Sequence, residues 1–329
     1  MTLLWIFVFF VSIALLVLAA DKFTASAEKL GLALGMPSFL IGVTIVSIGT
    51  SLPELLTSLV AVFKSTAAVD TTAMVVSNNL GSNVVNILLI VGLAAIFAKK
   101  LEVKRSLIEL DVPLLLLSTG LLVLVMMDGK ITWLEGLILV VGYAVYLKYS
   151  LSEHDRERID VTEDIRDKPH FFRFLRKGNF DFHAKQVFLL IIFGALMYLG
   201  ARFTIDAVIN LGEIFNISST VLAVTAVAIG TSLPELVVSI QSARKGKFEI
   251  AIGNVFGSNI FNVLLVVGGS SLVKTLVVPQ IMIVVGIPFL VVATLLYAFS
   301  GISGKVFHYE GAMYLLIYAL FIAKMFNLF

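Results

Sequence analysis

The sequence predicts an all-α polytopic membrane protein, with ten transmembrane helices in two inverted five-helix repeats and an external N-terminus. Of its 329 residues, 59% are hydrophobic and only 14% are charged, whereas a soluble domain carries about 25% charged residues. Long apolar runs recur along the chain, and one pair of motifs occurs twice. The net charge of +2 gives no reason to expect a nucleic-acid partner, and the absence of cysteine excludes thiolate chemistry.

Ten apolar runs are long enough to cross a membrane as helices. A hydrocarbon core about 30 Å thick requires about 17–25 apolar residues, and continuous runs favour helices over barrel strands, which alternate. The first run lacks a positive n-region and a cleavage pattern, which favours a retained span over a signal peptide. The predicted spans are 2–20, 38–63, 74–98, 112–127, 131–149, 186–209, 217–242, 250–273, 276–299 and 311–329.

The distribution of basic residues predicts the orientation. With an external N-terminus, 19 of the 24 Lys and Arg residues fall on the internal side and five on the other. Cytoplasmic loops are enriched in these residues, so we expect a multi-pass protein of the cell inner (plasma) membrane. One mistaken span would reverse the sidedness of every later loop. The unequal distribution of basic residues therefore also supports a count of ten spans.

The chain is predicted to divide into three segments. Residues 1–150 form the first five-helix repeat, 151–184 a cytoplasmic linker and 185–329 the second repeat. The linker is the only long hydrophilic stretch and contains a Phe/Arg-rich patch at 170–177. We interpret it as a solvated connection with an interfacial anchor; a regulatory ion site is the alternative.

Two sequence blocks are repeated. Residues 43–58 match 224–239 at 12 of 16 positions, and 77–92 match 253–268 at 9 of 16. Each half then holds five spans, and this odd number makes the second half enter the membrane from the opposite side. Inverted repeats are typical of secondary transporters, whose sites lie near the midplane where the repeats meet. The competing interpretation is that the two halves arose by gene duplication and that the repeated residues serve only helix packing.

Polar side chains recur within these blocks. The prolines at 53 and 234 each free a backbone carbonyl four residues earlier, and irregular backbone at membrane depth is tolerated where it lines a cavity. Hydroxyl, amide and carboxylate side chains recur at intervals of four, so that each set lies on one helix face. These oxygens suit hard cations such as calcium and sodium. The four stripes are Thr50, Glu54 and Ser58; Thr231, Glu235 and Ser239; Asn78, Ser82 and Asn86; and Asn254, Ser258 and Asn262.

Glu54 and Glu235 are the two carboxylates predicted near the centre of a span. A charge there costs at least roughly 2.5–3.5 kcal/mol, and no Lys, Arg or His is predicted at matching depth. One divalent cation, two monovalent cations or two protons would neutralise the pair. The four histidines show no zinc-binding spacing and are interpreted as loop residues.

The paired GTSLPE stretches, each followed by Gly-Ser-Asn-x-x-Asn, resemble the two alpha-repeats of the cation/calcium antiporter superfamily, of the prokaryotic sodium/calcium exchanger type. The resemblance covers all ten spans. It implies that spans two, three, seven and eight form an ion-binding core, past which the long tilted spans one and six slide. It also implies transported calcium and sodium without a cofactor, and these cation ligands: Glu54, Glu235, Thr50, Ser51, Ser82, Asn86, Thr231, Ser232, Ser258, Asn262 and the backbone carbonyls of Ser47 and Ala228.

One position departs from the family pattern, because Asn262 stands where many exchangers carry an aspartate. The pocket then holds two acids, and its charge of −2 is balanced by one calcium or two sodium ions. The leading hypothesis is a sodium/calcium antiporter that works as a monomer in the lipid bilayer, and not an enzyme. A calcium/proton antiporter with the same glutamates is the nearest alternative, and a cation channel is a further one.

Overall fold

A computed structural model of the protein describes residues 2–66, 71–98, 100–102, 111–161, 180–214 and 230–326, most of which are helical. The helices are α1 Thr2–Ala33, α2 Ser38–Lys64, α3 Thr72–Ala98, α4 Asp111–Met126, α5 Trp133–Val161, α6 Phe180–Ile214, α7 Leu233–Arg244, α8 Phe248–Val273, α9 Met282–Ser303 and α10 His308–Met325. The strands are β1 Lys100–Glu102, β2 Lys130–Ile131, β3 Leu276–Val277 and β4 Lys305–Phe307. They form two antiparallel pairs, β1 with β4 and β2 with β3.

Seven helices in the described part of the chain are long and apolar enough to cross a membrane, and α4 is a shorter apolar helix. The seven are α1, α2, α3, α5, α6, α8 and α9. The protein is therefore a mostly helical membrane protein. Ten spans, their inverted arrangement and the external N-terminus stay predictions.

Several helices differ in length from the predicted spans. Helix α1 continues to Ala33 instead of ending at residue 20, because Phe23, Ala27 and Leu30 give its polar half a buried face. The predicted span 276–299 begins later, at Met282, because residues 276–277 pair with β2. Helices α5 and α6 extend into both ends of the predicted linker. Residues 162–179 and 215–229, which include the start of predicted span seven, lie outside the described residues.

Burial separates a core from a periphery. The apolar stretch of α8 is 94% buried, that of α3 78% and that of α2 61%, whereas the corresponding stretches of α1 and α6 are only 22% buried. An apolar helix that is buried all round belongs to the centre of a protein, and one with an exposed apolar face belongs against lipid. Helices α2, α3 and α8 therefore form the centre, and α1 and α6 pack at the edge.

Helices α1 and α6 form a closely packed pair. The Thr204 hydroxyl donates a hydrogen bond to Ser12 Oγ at 2.9 Å. A Cβ atom at Gly200 would lie 2.9 Å from the backbone nitrogen of Leu16, so glycine permits the close approach. Phe23 of α1 fills the space beside Gly49 of α2, and thereby packs this pair against the core.

Ion pairs connect α1 to the corner between α7 and α8. Lys245 pairs with Asp21, and Lys247 pairs with Glu28. Near them, the Gln241 side chain donates a hydrogen bond to the Val17 carbonyl at 2.8 Å. These contacts lie at the C-terminal end of α7, on the order of 16 Å along the helix from its first turn.

Candidate cation-binding site

The two glutamates singled out in the sequence lie in the interior. Glu54 is on α2 and Glu235 is in the first turn of α7, and both side chains are fully buried. The Ser51 hydroxyl of α2 donates a hydrogen bond to Oε1 of Glu235 at 2.8 Å. A residue of the first motif thus contacts the acid of the second.

A second contact joins α2 to α8. The Thr50 hydroxyl donates to Oδ1 of Asn254 at 3.1 Å, and Nδ2 of Asn254 donates to Ser239 Oγ of α7 at 3.0 Å. All three residues are buried. Three of the four predicted stripes therefore meet through hydrogen bonds between side chains.

The repeat-equivalent contact joins the second motif to α3. Thr231, which corresponds to Thr50, donates to Oδ1 of Asn78 at 3.2 Å, and Asn78 corresponds to Asn254. Ser82 Oγ lies 3.2 Å from Thr231 Oγ1, also within hydrogen-bond distance. The structure thus brings all four stripes together, and each threonine bonds to the asparagine of the other repeat.

Nine buried side-chain atoms on the predicted ligand residues have no hydrogen-bond partner within the described part of the chain. Leaving a buried polar group unpaired costs about 1–3 kcal/mol, and more when the group is charged. Seven of the nine are oxygens, and a cation would satisfy them. The nine atoms are both carboxylate oxygens of Glu54, Oε2 of Glu235, both amide atoms of Asn86 and of Asn262, and the hydroxyl oxygens of Ser232 and Ser258.

The donor set limits the kind of cation that would fit. No group of three or more His, Asp and Glu side chains able to hold a metal occurs among the described residues. A cation here would therefore depend on hydroxyl and amide oxygens in addition to the two carboxylates. Such mixed oxygen ligands suit calcium and sodium, whereas zinc prefers nitrogen and sulfur.

Short π-helical turns interrupt the helices at the site. Asn86 lies within one such turn, Asn262 begins another, and Ser47 directly follows a third. A π turn closes i→i+5 hydrogen bonds, inserts an extra residue into the helix and frequently marks a functional site. The turns comprise Gly42–Val46, Val85–Val91 and Asn262–Val267.

The sequence interpretation did not anticipate these turns. A glycine borders each of them, as Gly42, Gly92 and Gly268, and each packs against a neighbouring helix too closely for a Cβ atom. A Cβ at Gly42, for example, would lie 2.6 Å from the Ile250 carbonyl oxygen. A glycine next to an apolar run was therefore the available sequence signal for these turns. The signal is not specific, because glycine also occurs at ordinary turns and close helix contacts.

The irregular backbone expected at the two prolines does not occur at the first motif and does occur at the second. Helix α2 continues through Pro53 without a break. In the second motif, residues 231–232 form a turn and α7 begins at Leu233, with Pro234 in its first turn. Proline fits there because the first helical turn needs no N–H partner.

The two predicted carbonyl ligands have different outcomes. The Ser47 carbonyl lies beside the site and accepts a hydrogen bond from the Thr50 hydroxyl at 3.2 Å. Ala228 lies outside the described residues.

Two asparagines outside the predicted ligand set fix contacts between helices, one of them between the two repeats. Nδ2 of Asn83 donates to the Asn259 carbonyl at 3.1 Å, so the two Gly-Ser-Asn stretches touch directly. Nδ2 of Asn79 donates to Ser58 Oγ at 3.1 Å and fixes α3 against α2. The repetition of Gly-Ser-Asn at 81–83 and 257–259 was the available signal for the first of these contacts.

A cavity of about 200 Å³ adjoins the site. Helix α6 forms one wall with residues that include Arg202 and Asp206. The two motif stretches form the other wall with Pro53, Thr231 and Pro234. Because each proline directly precedes one of the glutamates, the cavity lies next to the pair.

Comparison with known proteins places these features in a family. The family model described as "Sodium/calcium exchanger protein" matches residues 4–152 and 185–327. Inner membrane protein YrbG of Escherichia coli is 33% identical over 268 residues, which cover 80% of this chain and 78% of that protein. The sodium/calcium exchanger MaX1 of Methanosarcina acetivorans is 29% identical over 343 residues, covering 94% and 95%.

The fold agrees with this assignment. The structure of the sodium-calcium exchanger NCX_Mj superimposes with a TM-score of 0.80 at 27% identity, over 99% of this chain and 100% of that one. The two matched parts of the family model flank the predicted linker and together include every described residue of the site. This chain therefore belongs to the sodium/calcium exchanger protein family.

Proposed function

We propose that the protein is a secondary active antiporter that exchanges calcium for sodium by alternating access at the Glu54–Glu235 site. The observation that carries the proposal is a pair of fully buried carboxylates contributed by the two repeated motifs. Within the described part of the chain no Lys, Arg or His side chain is buried. A buried charge that lacks a partner costs several kcal/mol, so the cargo itself must supply the positive charge.

The formal charge of the site supports calcium as one cargo. Two carboxylates match one calcium ion or two sodium ions, and Asn262 adds no third negative charge. Calcium takes 6–8 oxygen ligands in flexible geometry. The residues proposed to supply them are Glu54, Glu235, Thr50, Ser51, Ser82, Asn86, Thr231, Ser232, Ser258, Asn262 and the carbonyls of Ser47 and Ala228.

We further propose that ten helices span the membrane as two inverted repeats, residues 1–150 and 185–329, separated by the linker 151–184. The reciprocal bonds of Thr50 with Asn254 and of Thr231 with Asn78 support this arrangement. The asymmetry of the basic residues supports an external N-terminus in the cell inner membrane. One chain contributes both acids, so the proposed transport unit is a monomer.

Calcium flux under separately imposed gradients tests the coupling ion. In proteoliposomes that contain the purified protein, we expect an outward sodium gradient to drive calcium uptake. Potassium or proton gradients of equal size in sodium-free buffer should drive none. Uptake driven by a pH gradient alone would instead favour calcium/proton exchange. Single-channel currents in planar bilayers would favour the channel alternative, because a channel conducts without alternating access.

Because the site carries a formal charge of −2, the effect of membrane potential on uptake reports the stoichiometry of exchange. Exchange of two sodium ions for one calcium moves no net charge, whereas a third sodium ion makes each cycle electrogenic. One charge moved across 100 mV corresponds to about 2.3 kcal/mol. Uptake rates that do not change with the imposed potential therefore indicate two sodium ions in each cycle, and rates that change with it indicate a different number.

Ser51→Ala is expected to weaken calcium binding about tenfold without unfolding the protein. The hydroxyl donates a hydrogen bond to Glu235, and hydrogen bonds to charged groups contribute about 1.5–3 kcal/mol. Equilibrium binding of radioactive calcium to purified protein measures the change. Ser118→Ala is the matched control, because this buried serine of α4 bonds only to the Leu115 carbonyl of its own helix. Equal affinities of both variants for calcium would contradict a role for Ser51 at the site.

A further inference from the structure

The cavity beside the site contains two charged side chains that the ion site does not use. Arg202 and Asp206 lie one turn apart on α6 and both line the cavity. They are the charged residues among those described along its wall. Neither forms an ion pair with a described residue, so their charges do not cancel through a direct contact.

The cavity extends from the exposed Arg202 to the motif residues. Its wall includes Thr231, which bonds to Asn78 and Ser82 inside the site. A cation that reached Glu54 and Glu235 through this cavity would pass close to Arg202 and Asp206. Arg202 is exposed and Asp206 is half-buried. A cavity of about 200 Å³ with polar lining residues has room for several water molecules, so both charges act through a partly hydrated space.

We propose that Arg202 and Asp206 together set the electric potential of the entrance and so weight the entry of calcium against that of sodium. Arg202 slows the entry of cations and Asp206 speeds it. The inference rests on the proposed function, because it names residues that act before binding at the proposed site. It adds two residues of α6 that lie outside the repeated motifs.

The charge of the ion gives the inference a quantitative signature. A unit charge about 7 Å away in water changes the energy of a monovalent ion by roughly RT, or about threefold in local concentration, and that of a divalent ion by twice as much. The factor for calcium is therefore the square of the factor for sodium. A steric effect of the same substitution has no reason to follow this relation.

Arg202→Gln is expected to lower the calcium concentration that gives half-maximal self-exchange about ninefold and the corresponding sodium concentration about threefold, whatever the number of sodium ions bound. Asp206→Asn is expected to raise both concentrations by the same factors. The rates at saturating ion should stay unchanged, and Arg202→Lys should resemble the wild type. Self-exchange of isotopes across proteoliposomes needs no coupling ion, so it reports entry whichever ion is coupled to calcium.

Two control residues lie near the end of α2 that is closer to the cavity. At this end the Lys274 side chain bonds to Ser65, which directly follows α2. Strand β3, just after Lys274, pairs with β2 and so holds β2 nearby. Lys130→Gln in β2 and Asp128→Asn in the preceding turn change exposed charges that do not line the cavity. We expect both to leave self-exchange near wild-type rates.

Two further measurements vary the side on which the ions are added and the ionic strength. The effects should appear only for ions added on the face that carries β2 and β3, measured in vesicles of each orientation. They should also shrink when the ionic strength rises from about 0.01 to 0.15 M, because the Debye length falls from about 30 to 8 Å. Equal factors for the half-saturating concentrations of calcium and sodium, or rates changed only at saturation, would overturn the entrance role. A wild type without calcium self-exchange would overturn the proposed function as well.

Discussion

Replacing Glu54 by Gln, or Glu235 by Gln, is expected to reduce calcium uptake more than 100-fold. Each substitution removes half of the buried negative charge that would balance calcium, and truncating one partner of a buried charge pair costs about 3–5 kcal/mol. Initial rates of calcium uptake into sodium-loaded proteoliposomes measure the loss. Glu249→Gln is the matched control, because this half-buried glutamate begins α8 on the face opposite the cavity.

Thermal unfolding separates lost binding from misfolding in the glutamate variants. A ligand at 100 times its dissociation constant stabilises the native state by about 2.7 kcal/mol. We expect calcium to raise the melting temperature of the wild type and of Glu249→Gln. It should leave that of Glu54→Gln and Glu235→Gln unchanged. A normal calcium-dependent shift and normal uptake in either glutamate variant would remove that residue from the site.

Gly257→Ala is expected to abolish transport and to lower the yield of folded protein. A Cβ atom at this position would lie 2.2 Å from the Val43 carbonyl oxygen and 2.3 Å from Ser47 Oγ. The first of these atoms belongs to the backbone, so α2 and α8 must move apart at the π turn that precedes the site. Overpacking of this kind costs typically 1–3 kcal/mol and displaces backbone.

Gly269→Ala is the matched control for that experiment. The two glycines lie on the same helix, but a Cβ atom at Gly269 meets nothing within 4 Å. Because alanine restricts the unfolded chain more than glycine does, we expect this variant to be as stable as the wild type or slightly more stable. Uptake rates and size-exclusion profiles of both variants measure the difference. Normal uptake by Gly257→Ala would show that the helices tolerate separation at this point.

The centre of the protein was predictable from the sequence, because the same pattern occurs twice. Polar residues at intervals of four lie on one helix face, and the two copies of each motif differ little. These facts agree with the contacts that Thr50 and Thr231 make with side chains of other stripes. The family assignment from GTSLPE and Gly-Ser-Asn-x-x-Asn is also confirmed.

Other features depend on contacts that a single sequence does not display. The π turns at Asn86 and Asn262 arise where helices pack closely. The hydrophobic pattern of a sequence does not show where a helix contains an inserted residue. The length of α1 was missed because Asp21 and Lys22 end the apolar run without ending the helix. Its buried residues repeat every three or four positions beyond that point, which a search for continuous hydrophobicity does not detect.

The ion pairs between α1 and the end of α7 have an energetic consequence for the proposed alternating access. They lie at the opposite end of α7 from the cavity, so sliding of the α1–α6 pair past the core would break them as the cavity closes. The Lys245–Asp21 pair is largely exposed and the Lys247–Glu28 pair is half-buried. Surface pairs contribute about 0–1 kcal/mol each and weaken with salt. Thermal motion would therefore break these contacts readily, and the two ends of α7 would alternate between closed and open at little cost in free energy.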